Sequence, residues 1–145
     1  MLAVLAILSI LAAAAIPMAQ MVAKHQKEEE LRLNLHQLRD SIDNYKRASD
    51  TGRIAKKVGE SGYPKKLEDL VNGVEDLRDP NKSKIYFLRR IPADPMAPSG
   101  VDGIDSWGKR SYASPPDDPQ EGNDVYDIYS RSDDTGLNGI PYKQW

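Results

Sequence analysis

The first 23 residues of this 145-residue chain carry no charged side chain, and this feature constrains the fold more than any other. All 20 basic and 22 acidic side chains lie in the residues that follow. As an α-helix, residues 1–23 span about 35 Å, enough to cross a bilayer core of about 30 Å. A signal peptide has basic residues before its apolar stretch and a cleavage site after it, and this stretch shows neither. The pattern predicts a single-pass membrane helix over residues 1–23, with Lys24 and Lys27 as its basic flank.

Two details of the apolar segment bear on how it packs. It is rich in alanine, with Ser9 among the aliphatic residues, and small side chains allow two helices to approach closely. Pro17 removes one backbone hydrogen bond, which predicts a kink or local unwinding of the helix at that point. The segment therefore favours packing against neighbouring helices, which in lipid would also provide a partner for the freed carbonyl.

A helical pattern continues beyond the apolar segment, over residues 24–51. Apolar residues recur there at spacings of four, three, four and three, which predicts one buried stripe along the helix. The stripe consists of Leu31, Leu35, Leu38, Ile42 and Tyr45. Gly52 is a natural end for this helix, which would then be about 50 residues long. A short coiled coil is the alternative, because the stripe covers only about two heptads.

Residues 52–145 form one small domain in which proline and glycine recur at short intervals. A short helix is predicted over residues 63–71, with Leu67, Leu70 and Val71 facing inward. Two antiparallel strands are predicted over residues 109–114 and 124–130. The core candidates in these strands are Tyr112, Val125 and either Tyr126 or Ile128. The predicted fold class is α+β, with a long N-terminal helix packed on a small domain of short helices and a small antiparallel sheet.

Composition and motif content exclude several classes of function. Without cysteine, the chain has no disulfide framework, no thiolate metal site and no cysteine nucleophile. A formal net charge of −2 provides no overall basic field for nucleic acid. No serine lies in a G-x-S-x-G nucleophile elbow, and the carboxylates are those expected of a charged surface. We therefore expect neither an enzyme nor a nucleic-acid-binding protein.

Acidic side chains concentrate in residues 117–134, which contain seven of them and only Arg131 as a basic residue. Such oxygen ligands suit Ca²⁺, which takes about six to eight of them. The turn over residues 130–139 contains two glycines but lacks the residue order of an EF-hand loop. The pattern by itself leaves a calcium site and a solvated acidic loop both open.

The chain begins with an Ala-rich apolar helix that has a proline near its end. An amphipathic continuation of this helix and a small C-terminal domain follow. In this order, and in the stretch from Met1 to Pro17, the chain resembles the type IV pilin superfamily. Further motifs are similar to the major pseudopilins of type II secretion systems. These motifs are Tyr63-Pro64 with Leu67, Ile91-Pro92-Ala93-Asp94-Pro95, Asp105-Ser106-Trp107-Gly108 with Tyr112, Tyr126-Asp127-Ile128-Tyr129-Ser130 and Trp145. The chain differs in two places: the family's opening Phe-Thr-Leu-x-Glu would come directly ahead of Met1, and Ser9 replaces a usual glycine.

The resemblance implies a structural subunit rather than an enzyme. Residues 1–23 would hold it in the bacterial inner membrane, and methylation and assembly would follow, giving a helical periplasmic pseudopilus that can extend outside the cell. Growth of this homopolymer would push secreted proteins through the outer membrane, with minor pseudopilins and an inner-membrane assembly platform as partners. The residues implied in the filament core are Leu5, Leu8, Ser9, Leu11, Ile16 and Pro17. The alternatives are a subunit of a surface type IV pilus, for adhesion or motility, and a solitary membrane-anchored periplasmic binding domain.

A calcium ion is a further implication of the resemblance, because in major pseudopilins calcium holds the C-terminal loop. Asp134 matches the first carboxylate ligand, and Arg131 would contribute its backbone carbonyl. The loop is shorter in this chain, so the family's later pair of aspartates has no clear match. Asp133 and Asn138 are the nearest substitutes.

Overall fold

A computed structural model describes all 145 residues. One long helix, α1 (Leu2–Asp50), takes up 49 residues and is about 73 Å long. The elements that follow are α2 (Asp69–Asn72), β1 (Val74–Glu75), β2 (Lys84–Ile85), α3 (Gly103–Ser106), β3 (Trp107–Arg110), β4 (Asp127–Ser130) and a 3-10 helix (Tyr142–Gln144). The predicted α+β class is confirmed, with two small antiparallel sheets where one was expected.

The two halves of α1 differ completely in burial. Residues 1–23 are all exposed, whereas the stripe predicted further along the helix is buried against the domain. Its members are exposed by 8% or less: Leu31, Leu35, Leu38, Ile42 and Tyr45. The domain covers the stripe with residues from α2, β3 and β4, among them the fully buried Leu70, Trp107 and Ile128. The prediction of one buried stripe on α1 is therefore confirmed.

The helix ends after Asp50 in a Schellman motif, with Gly52 as the second residue beyond the helix. The N–H of Gly52 donates to the carbonyl of Ser49, and the N–H of Arg53 donates to the carbonyl of Ala48. These two bonds satisfy carbonyls that the end of a helix would leave unpaired. Gly52 has a φ of 73°, a left-handed conformation that glycine adopts without steric cost. The end that Gly52 predicts for the helix is confirmed.

Pro17 lies inside α1, and helical backbone continues on both sides of it. Of the kink or local unwinding predicted at Pro17, the unwinding is therefore absent, and the kink stays a prediction. Proline lacks only its own N–H, so a single bond to the carbonyl four residues earlier is lost while the flanking bonds hold the helix.

The paired strands β3 and β4 are shorter than predicted, because β3 ends at Arg110 and β4 begins only at Asp127. Trp107 lies opposite Ser130, and Arg110 lies opposite Asp127. Only residues 109 and 110 of the predicted strand 109–114 therefore belong to β3. Of the core candidates, Val125 and Ile128 are buried, as predicted.

The core candidate Tyr112 is wrong, because its side chain is 62% exposed. The chain leaves the ladder after Arg110, where the N–H of Ser111 donates to the carbonyl of Gln120. The N–H of Tyr112 then donates to the carboxylate of Asp124, 2.8 Å away. These bonds turn the backbone, so the alternation of the strand no longer decides which side chain faces inward.

The helix predicted over residues 63–71 is also wrong in extent, because only Asp69–Asn72 is α-helical. The carbonyl of Pro64 accepts the N–H of Val125 at 2.8 Å and so takes no part in a helix. Leu67 and Leu70 are nevertheless fully buried, as predicted.

Candidate functional site

The apolar half of α1 is a continuous exposed surface. The helix is long and apolar enough to cross a membrane, and none of its most apolar 18-residue stretch is buried. Twelve large apolar side chains here are more than half exposed. They are Met1, Leu2, Val4, Leu5, Ile7, Leu8, Ile10, Leu11, Ile16, Met18, Met21 and Val22. At about 1.5 kcal/mol each, their exposure to water costs on the order of 20 kcal/mol, so this half requires lipid or other protein around it.

The residues implied in a filament core all lie on this surface. Four of them are between 56% and 62% exposed: Leu5, Leu8, Leu11 and Ile16. The hydroxyl of Ser9 donates to the carbonyl of Leu5 at 2.8 Å, so its polar group is already satisfied within the helix. Ser9 can therefore enter an apolar environment without an unpaired donor.

A shallow hollow marks the end of the apolar half. It is lined by Ala15, Met18, Ala19, Val22, Ala23 and Gln26. The alanines leave room between the larger side chains, which allows close approach of another helix. At about 100° per residue, the hollow points roughly 150° away from the buried stripe of residues 31–45. A helix seated in the hollow would thus lie on the side of α1 away from the globular domain.

Two of the residues implied in calcium binding have their oxygens directed elsewhere. The carboxylate of Asp133 is 94% exposed and lies 3.5 Å from the ammonium of Lys143. The side-chain oxygen of Asn138 accepts the N–H of Ile140 at 3.0 Å, which closes the local turn.

The other two implied ligands, Arg131 and Asp134, form hydrogen bonds through atoms other than the Arg131 carbonyl and the Asp134 carboxylate, which would bind calcium. The guanidinium of Arg131 donates to the carbonyl of Asp105 at 3.2 Å, and the carbonyl of Asp134 accepts the N–H of Tyr142 at 3.1 Å. No three histidine, aspartate or glutamate side chains of the chain are grouped so that they could hold a metal ion. With the Asp133 and Asn138 oxygens bonded elsewhere, the Arg131 carbonyl and the Asp134 carboxylate leave only two of the implied ligand groups for Ca²⁺, which takes about six to eight oxygens. Calcium binding by this segment stays a prediction.

The acidic side chain that does meet the C-terminal segment is Glu28 on α1. It is only 3% exposed, and its Oε1 accepts the N–H of Leu137 and the hydroxyl of Tyr142, both at 2.8 Å. Burial, together with the hydrogen bond to Glu28, raises the pKa of Tyr142 well above its ordinary value, because both disfavour the phenolate. Sequence reasoning missed Glu28, although it lies three residues before Leu31 in the spacing of the apolar stripe.

Three of the sequence motifs meet around Asp94. Its carboxylate is 3% exposed and accepts the hydroxyl of Ser130 at 2.6 Å. Its N–H donates to the hydroxyl of Ser106 at 2.9 Å. The neighbouring Trp107 is fully buried and donates its indole N–H to the carbonyl of Pro92 at 2.8 Å. These bonds join the loop of residues 91–95 to β3 and β4, so the motifs hold the domain together.

A cleft of about 980 Å³ lies beside the end of α1. The rings of Tyr63 and Tyr112 stack at its wall with centroids 5.7 Å apart. A hydrogen bond from Lys65 lowers the pKa of Glu60 in the same cleft. A general acid for neutral pH requires a raised pKa, so Glu60 is not suited to that role.

Comparison of the chain with protein-family models, curated proteins and solved structures found no match. The geometry of α1 and its domain, together with the sequence motifs, therefore bears on what this chain does.

Proposed function

We propose that this protein is a filament subunit of the type IV pilin kind, serving as a pseudopilin in a type II secretion system. The observation that carries the proposal is the apolar half of α1, wholly exposed and continuous with a half that a small domain covers. A helix of this kind can anchor the protein in a membrane. The motifs that resemble the pseudopilins add the second line of support.

The shape of α1 favours assembly over a solitary anchor. A membrane anchor requires only apolar length, and any large aliphatic residues would serve. This helix instead has a hollow lined by Ala15, Ala19 and Ala23, on the side away from the domain. Copies that pack through the hollow would place their helices inside and their domains outside, the arrangement of a filament with a helical core.

The same surface explains how one chain passes from membrane to filament. Lipid covers the apolar half before assembly, and the apolar halves of neighbouring copies cover it afterwards, so no large apolar area meets water in either state. Repetition of one head-to-tail contact that does not close on itself gives a helical polymer. Growth from the inner membrane, with the assembly platform and minor pseudopilins as partners, would then act as a piston on secreted proteins.

Electron microscopy of the protein, produced with a pilin-type leader and the matching processing machinery, tests the proposal. Sheared preparations should contain helical filaments with a helical core and globular knobs. Ala19→Leu should keep the protein in the membrane fraction but abolish filaments, because the larger side chain fills the hollow. Met18→Leu, a change of nearly equal volume at the next residue, is the control and should still assemble.

Single membrane-bound copies under conditions in which a known pilin assembles would contradict the proposal and favour an anchored binding domain. Equal assembly of Ala19→Leu and wild type would show that the hollow is not a contact. Long extracellular filaments would favour a surface pilus, and short ones confined to the cell envelope would favour a pseudopilus.

A further inference from the structure

The C-terminal segment, defined here as residues 134–145, is attached to α1 at three points. In the middle, the buried carboxylate of Glu28 accepts bonds from Leu137 and Tyr142. Both donors are more than 100 residues away in the chain, so only the tertiary fold brings them to Glu28. A hydrogen bond to a charged carboxylate is shorter and roughly twice as strong as one between neutral groups.

The two ends of the segment are held by basic side chains of the same helix. The ammonium of Lys24 donates to the carbonyl of Thr135 at 2.8 Å and lies 5.9 Å from the ring centroid of Tyr142. The guanidinium of Arg39 donates to the backbone oxygen of Trp145 at 2.8 Å. Glu28 thus lies on α1 between Lys24 and Arg39, which bind the two ends of the segment.

Within the segment, the backbone closes on itself. The N–H of Gly136 donates to the carbonyl of Ile140 at 2.9 Å, and Thr135 forms a bridge with Pro141. A Cβ on Gly136 would lie 2.5 Å from the ring of Trp145, so the turn and the terminal aromatic residue are in close contact. These bonds and contacts close the turn within the segment.

We propose that Glu28 holds the C-terminal segment closed without a metal ion. Two of the residues that the resemblance implies as calcium ligands, Asp133 and Asn138, have their side-chain oxygens bonded to Lys143 and Ile140, and the inner side of the segment faces Glu28. A small domain without disulfides needs a fastening of this kind, and a buried carboxylate with two donors provides one. Because Glu28 follows the apolar half by only five residues, it ties the end of the domain to the part of α1 nearest the membrane.

Thermal melting of the full chain in detergent micelles, with calcium and with a chelator, tests this. The melting temperature of the wild type should be the same in both conditions. Glu28→Ala should lower it by about 5–15 °C, because two donors lose their acceptor. Glu28→Gln keeps one side-chain oxygen and should lose less. The adjacent Glu29 is exposed, so Glu29→Ala is the matched control and should melt like the wild type.

Amide hydrogen exchange at Leu137 provides a local readout, and its protection should fall at least about tenfold in Glu28→Ala. A calcium-dependent rise in the wild-type melting temperature that Asp134→Ala abolishes would overturn the proposal. Unchanged protection of Leu137 in Glu28→Ala would overturn it as well. If Glu28→Ala does not fold, Glu28→Gln and the wild-type calcium comparison decide. None of these readouts involves filaments, so their outcome is independent of the proposed function.

Discussion

Replacing Leu38 with alanine tests the central packing contact of the molecule. Leu38 lies in the buried stripe of α1 and is 0% exposed. Removing a fully buried leucine side chain loses its transfer free energy and leaves a cavity, for a total of about 3 kcal/mol. For a cooperative unit of about 100 residues, this corresponds to a decrease in melting temperature of about 12–15 °C.

The same helix offers a matched control in Leu33, which is 68% exposed. Leu33→Ala should change the free energy of unfolding by no more than about 0.5 kcal/mol. Unfolding of the full chain in micelles can be followed by tryptophan fluorescence, since Trp107 is fully buried in the folded domain. Equal shifts for the two variants would refute the assignment of one stripe to the core, and so would a shift below about 3 °C for Leu38→Ala.

Three further predictions follow from backbone and charge. Gly108→Ala should lose about 1–3 kcal/mol in urea unfolding, because its Cβ would lie 2.3 Å from the ring of Tyr129. Gly52→Ala meets no atom within 4 Å, so its cost of about 1–2 kcal/mol would come from the left-handed backbone alone, and an equally stable variant would contradict this. A hydrogen bond from Arg53 lowers the pKa of Asp76 in the folded state. The contribution of ionised Asp76 to the stability of the fold is therefore fully present above its unfolded pKa of about 4. It is lost as the pH falls through its lower pKa in the folded state. The stability difference between wild type and Asp76→Asn, measured by urea unfolding at neutral and acidic pH, should shrink at acidic pH, and a constant difference would contradict the assignment.

The structure departs from the sequence predictions where long-range bonds decide the backbone. Pro64 is a good first residue for a helix, yet its carbonyl bonds to Val125 and the helix begins later. Tyr112 continues an alternating pattern, yet its N–H bonds to Asp124 and its ring turns outward. Spacing along the chain describes near neighbours only, so it carries no information on a partner that lies many residues away.

The sequence by itself determined α1, its division into an apolar and an amphipathic half, the buried stripe and the end at Gly52. These features depend on helical periodicity, on the absence of charge and on local backbone preference, all of which are contained within a few neighbouring residues. Only the tertiary structure decided that Glu28 is buried and that the C-terminal segment closes on it. A charged residue in an apolar stripe is expected at the surface unless donors reach it, and here those donors come from the opposite end of the chain.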